Sequence, residues 1–357
     1  MNTGLLRRFA AGRTVLLGAV LALAMPGTAY ANTVSVTVKT PGATSGPATS
    51  NSEISTHGDC AGGLISGGGI NQAIGTGAGV NGNHVNGTSP SSDGTAEYTG
   101  STGVVGTDVT HWLGIGGSGG QVNASFSTTP YAMCLTSNLI NHTQVVMNKV
   151  NAPTAGSTVG AITSTCPANT RLLGGGARIT PGNTGSLKTI ASFPTFNNSA
   201  HSFGLKAAAD GESNPDSWTA VGWDSGPNSA NTTYAYAICS GSGINVSGAT
   251  VKVHYTEVSG PTSGSTGQTA TVGCGMGDGN LVSGGAAISG GSVTTNFTGP
   301  GSGGDHLNGS FPSTSGGAAV GDGTTTAAYW TAAAHTGGQS SPGTYTDVWA
   351  LCANDGV

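Results

Sequence analysis

The chain has 357 residues, 64 of them glycine, with only 7% charged residues and ten Lys and Arg against 15 Asp and Glu. A soluble domain usually carries about 25% charged residues, so surface polarity here must come from Ser, Thr, Asn, Gln and backbone. The acidic balance excludes the basic face that nucleic acid and anionic membranes require, and regularly placed Trp, Tyr and Phe within a 36% hydrophobic chain argue against disorder.

In chain order the first expected element is a leader. Arg7, Arg8 and Arg13 flank or precede the 12-residue apolar run TVLLGAVLALAM, Pro26-Gly27 breaks it, and Ala29-Tyr30-Ala31 offers small residues for cleavage. The run is short of the roughly 20 residues that span a bilayer. Residues 1–31 are therefore expected to be a signal peptide, leaving a mature chain from Asn32 with a net charge of −8 and no membrane attachment. Arg7-Arg8-Phe9 leaves general and twin-arginine export both open. The closing WALCANDGV carries no hydrophobic tail, so a released or loosely surface-held protein is expected.

Three units of one plan follow, near 32–139, 140–243 and 244–357. Each opens on an alternating strand (VSVTVK, QVVMNKV, VKVHYTEV), crosses a Gly/Ser/Pro/Thr-rich loop and reaches a cysteine. Glycine-rich LISGGG, LLGGGA or LVSGGAA comes next, then a Ser/Thr-x-Pro step, a tryptophan and a closing YAMC, YAIC or WALC. The first cysteine precedes the tryptophan by 52, 52 and 56 residues (Cys60 to Trp112, Cys166 to Trp218, Cys274 to Trp330). The tryptophan precedes the second cysteine by 22, 21 and 22. Two cysteines per unit select the pairs Cys60–Cys134, Cys166–Cys239 and Cys274–Cys352. Helical periodicity is nearly absent, and stretches such as TYAYAIC and WTAVGW read as strands. The expected fold is all-β: three tandem, disulfide-tied β-sandwich or small β-barrel-like modules, beads on a string, with a closed threefold β-trefoil or β-prism as the rival. Glycines after a leucine strand mark a bulge or a close backbone approach, here to the repeated tryptophan and the disulfide.

Motifs that resemble catalytic ones are weak. GGSGG (Gly116–Gly120) matches a nucleophile elbow and GAGVNG (Gly77–Gly82) a dinucleotide loop, but neither is followed by a helical pattern. Asp108, Asp216, Asp224, Asp322 and Asp347 fall at unmatched places, and no metal-ligand spacing is present, so no enzyme, metal or cofactor is expected. The best binding candidates are His84 and Asn86 in NHVNG and His306 and Asn308 in DHLNG, at matching places in the first and third units. Hydrogen bonding to a sugar is one role for them; an Asn-Gly turn capped by His is the plainer one. The second unit offers no counterpart near SLKTIASFP. Trp112, Trp218 and Trp330 read as core, whereas the unrepeated Trp223 and Tyr98 are candidates for exposed contacts.

The pattern CPANTRLLGGGA…SFP…WTA…YAYAIC in the second unit resembles secreted proteins of high-GC Gram-positive bacteria with a repeated Cys…Leu-x-Gly-Gly-Gly…Trp…Ala-x-Cys module. The resemblance implies an extracellular location and a disulfide-tied β fold, and it brings no active-site residue to this chain. The expected function is a noncatalytic extracellular or cell-surface protein binding a neutral ligand such as polysaccharide or cell wall through repeated modules. Self-association into a coat or filament is the alternative, and a hydrolase ranks below both.

Overall fold

The computed structural model describes Met1 and residues 33–355 except 74–81, 122–124, 157, 182–186, 225, 227–230 and 292–294. The expected leader and nearly all of the Gly77–Gly82 loop lie outside the described residues. Within 31–357 the chain is one compact unit, and its regular structure is nearly all β-strand.

The first unit holds β1 (Ser35–Lys39), β2 (Thr44–Ser45), β3 (Glu53–Asp59), β4 (Leu64–Ala73), β5 (Asn83–Ser91), β6 (Gly103–Thr107), β7 (His111–Ser118) and β8 (Ser127–Thr136). The second holds β9 (Thr143–Val150), β10 (Thr158–Thr165), β11 (Leu172–Thr180), β12 (Leu187–Thr195), a short 3-10 segment Ser199–Gly204, β13 (Ser217–Asp224) and β14 (Thr232–Ser240). The third holds β15 (Thr250–Ser259), β16 (Gly267–Gly273), β17 (Asn280–Ser289), β18 (His306–Ser313), β19 (Tyr329–His335) and β20 (Tyr345–Asn354). Outer strands such as β1 alternate in burial, with Val36 and Val38 inward, whereas central strands such as β17 and β14 are buried almost throughout. That contrast is the one expected between one-sided edges and covered centres of a sheet.

Each unit folds into two three-stranded halves, and each half completes a sheet with a half from another unit. The sheets run β1-β8-β4-β18-β19-β16, β10-β13-β12-β17-β20-β15 and β3-β7-β5-β11-β14-β9-β6, with two first-unit strands outside the halves, β2 added against β8 and β6 against β9. The joins are antiparallel: Ile70 opposite Ser310, Arg178 opposite Gly87, and Ala191 opposite Ala287. The sheets thus form the sides of a triangular prism whose corners are the three units. One hydrophobic cluster runs through all three units, from Val36 through Trp218 to Trp330 and Trp349.

All three disulfides pair as the repeat selects: Cys60–Cys134, Cys166–Cys239 and Cys274–Cys352. The all-β class and the disulfide-tied modules stand, but the modules are not beads on a string. The spacing within a unit is the same whether its central strands pair at home or next door. Pairing with the neighbouring unit covers the inner edge of each half.

The repeated glycines sit where expected. A side chain at Gly68, Gly175 or Gly284 would run into the indole of Trp112, Trp218 or Trp330, and one at Gly69, Gly176 or Gly285 into a backbone carbonyl of the adjoining unit. The first set lets the tryptophan lie flat on the sheet; the second lets two units share it. Trp218 and Trp330 donate to Ser192 and Ser310 Oγ at 2.9 and 2.8 Å, which gives the Ser-x-Pro step its role. Bulges break register just before the glycines, at Ser66, Leu173 and Val282, and again at Asn86, Ile190 and Asn308.

Candidate functional site

The second set of bulges bends β5, β12 and β18 together near one end of the prism axis. His84, Lys188 and His306 stand at the same register, each four residues before the Thr or Ser of its Ser/Thr-x-Pro step. All three are buried, at 3, 5 and 2% exposure, and they line one cavity of about 520 Å³ walled mainly by glycine backbone such as Gly119, Gly303 and Gly338. The structure therefore brings His84 and His306 together, their rings 6.2 Å apart, and adds a residue the sequence reading passed over. Lys188 is the second unit's counterpart. The four-residue offset was present in the sequence, but a change from His to Lys concealed the match.

His84 Nδ1 lies 2.9 Å from the Gly82 carbonyl and His306 Nδ1 2.7 Å from the Gly304 carbonyl. Lys188 Nζ donates to the Gly303 carbonyl at 2.7 Å. Burial, reinforced by the nearby Lys188 charge, pushes the His84 imidazole down to about 4 and holds His306 well below its ordinary range. Burial likewise draws the Lys188 ammonium down to about 8, against the opposing pull of Asp305 and Asp224. Asp305 itself is raised by burial, despite hydrogen bonds from Ser341 and the Ser302 backbone. His335 packs 5.6 Å from His306, its imidazole lowered by burial.

Asn86 and Asn308 are not turn residues. They are the bulged positions inside β5 and β18, where a bulge accommodates Asn-Gly without ending the strand. Their amides hold structure behind the cavity: Asn86 donates to Glu53 at 3.0 Å and Asn308 to the Asn83 carbonyl at 2.6 Å. Neither lines the pocket. Trp223 is buried rather than exposed, and Tyr98 is partly covered. Trp223 is 7% exposed and lies against Gly299, and Tyr98 is half-buried, packed on a core cluster shared by the first and second units and accepting from Tyr236 at its carbonyl. Large aromatic surface in a chain this poor in bulky side chains is drawn into the core.

The remaining motifs are accounted for structurally. Ser118 of GGSGG donates to the Thr49 carbonyl at 2.6 Å. Asp108, Asp216 and Asp322 accept from the backbone of Thr143, Asn197 and Thr40. Asp224 accepts from Gly226, and Asp347 is buried with Tyr255 and Ser289, its carboxyl pushed up to about 7 by burial. Among the described residues no cluster of three His, Cys, Asp or Glu could hold a metal ion, and no helix is long and apolar enough to cross a membrane. A second, open groove of about 530 Å³ beside β9 and β10, with Phe203 and Leu205 at its rim, has no titratable side chain in its wall. Compared with known proteins, the chain matches no family model, and no curated protein is found to match it.

Proposed function

We propose that the protein is a secreted, noncatalytic extracellular or cell-surface protein that binds glycan at the axial pocket. The observation that carries this reading is the convergence of His84, Lys188 and His306, one from each unit, on a single glycine-walled cavity. Burying three titratable side chains costs stability, and packing alone would have filled these positions with apolar residues. Three disulfides and the resemblance to secreted proteins support the extracellular location. The three units supply one site together rather than one site each, so multivalency within a chain drops out of the reading.

The test is retention of the purified full chain on insoluble glycans and on intact bacterial cells, beside the variant His84→Gln/His306→Gln. Retention of the parent with loss in the variant is the expected result; equal retention of both moves the site elsewhere. Self-assembly remains the second reading, favoured by exposed Val104 on β6, Val159 on β10 and Phe203, β6 and β10 each being the last strand of its sheet. Light scattering at rising protein concentration separates the two: a glycan binder stays at constant mass, whereas a coat protein grows.

A further inference from the structure

A carbonyl oxygen only accepts, so the ring nitrogen facing it must carry the proton. His306 Nδ1 is therefore N–H, bonded to the Gly304 carbonyl, and the neutral ring presents a bare lone pair at Nε2. That nitrogen is buried and has no hydrogen-bond partner, although the residue lines the cavity. Beside it Lys188 is a donor only, with one of its N–H groups on Gly303. The charged groups around the pair are Asp305 and Asp224, which balance the Lys188 ammonium, and the imidazoles of His84 and His335. The pocket wall thus carries both a hydrogen-bond acceptor and a donor, with the donor's charge balanced by carboxylates.

Resting on the reading of this pocket as the binding site, we propose that it recognises an uncharged polyol face, one hydroxyl donating to His306 Nε2 and a neighbouring oxygen accepting from Lys188 Nζ. A hydroxyl both donates and accepts, so adjacent sugar hydroxyls satisfy both groups at once. A carboxylate has no proton for His306, and hydrogen phosphate, which keeps one O–H, brings two negative charges against Asp305. Burial holds His306 neutral and so preserves the acceptor.

The experiment is long-range ¹H–¹⁵N correlation spectroscopy of the histidine side chains in the full chain at pH 7.5, with glucose, galactose, mannose, N-acetylglucosamine and inorganic phosphate as probes. The expected result is an Nδ1–H tautomer for His306, an Nε2 resonance shifted by at least one neutral sugar and not by phosphate, and binding weakened about tenfold or more in Lys188→Met. An Nε2–H tautomer, or phosphate binding that strengthens on acidification, overturns the proposed recognition while leaving a ligand site in the pocket. If no sugar shifts His306 although the full chain is retained on glycan, the axial site itself is overturned. If neither occurs, the glycan reading falls and this inference with it.

Discussion

The corners of the prism and the crown at its axis are built from the same three repeats, yet the repeats treat them differently. At the corners all three copies agree: Trp112, Trp218 and Trp330 each lie on a glycine and beside a disulfide-tied strand pair. At the crown the same register carries His84, Lys188 and His306. Packing against a flat indole leaves one solution, so the copies cannot diverge there. A cavity wall has no such constraint, and divergence into a polar, poorly satisfied set is the mark of a place shaped by something other than packing.

The largest expected effect breaks the frame that both regions share. Residues 32–139, 140–243 or 244–357 produced alone lose the partner halves of two sheets, and none should show a cooperative thermal transition. Next come the corners. Replacing Cys166 and Cys239 by Ala opens a loop spanning 73 residues, which in the chain-entropy model costs about 4 kcal/mol; denaturant unfolding of the full chain measures it.

The crown should show itself in the acid limb of stability. Folding lowers the His84 imidazole from 6.5 to about 4, so the folded state binds fewer protons between those values. Its contribution is fully present above pH 6.5 and is lost as pH falls through 4, on the order of 3 kcal/mol at the limit. His84→Gln should flatten that part of the stability–pH curve, whereas a corner variant should shift the whole curve without changing its slope. Gly175→Ala, which drives a methyl group into Trp218, should cost about 1–3 kcal/mol. The last effect is read mainly in binding: Lys188→Met should reduce glycan retention, and it should lower stability rather than raise it, because Asp224 and Asp305 stay buried without the ammonium that balances them. Unchanged glycan retention in that variant would place Lys188 with the corners, as a structural residue.

Much of the corner architecture was legible in the sequence. The constant cysteine and tryptophan spacings selected the disulfides, and LLGGGA announced the close approach of a sheet to an indole. The exchange of halves between units was not legible. The glycine-rich strands β4, β11 and β17 carry no signal saying whether the strand beside them belongs to their own unit or to another. At the crown, His84 and His306 were visible as a pair, but Lys188 was hidden by residue type. Asn86 and Asn308 looked like turn residues because Asn-Gly serves a bulge as readily as a hairpin. Trp223 looked available for contact only because nothing local revealed that Gly299 lies over its ring.

The most direct test of the account is the binding stoichiometry of the full chain with a soluble oligosaccharide cut from whichever glycan retains it, measured by titration calorimetry with the parent and with His84→Gln/His306→Gln. One equivalent per chain, abolished in the variant, is the result expected of a single axial site assembled from three units. Three equivalents per chain, or one that survives the double substitution, would contradict it.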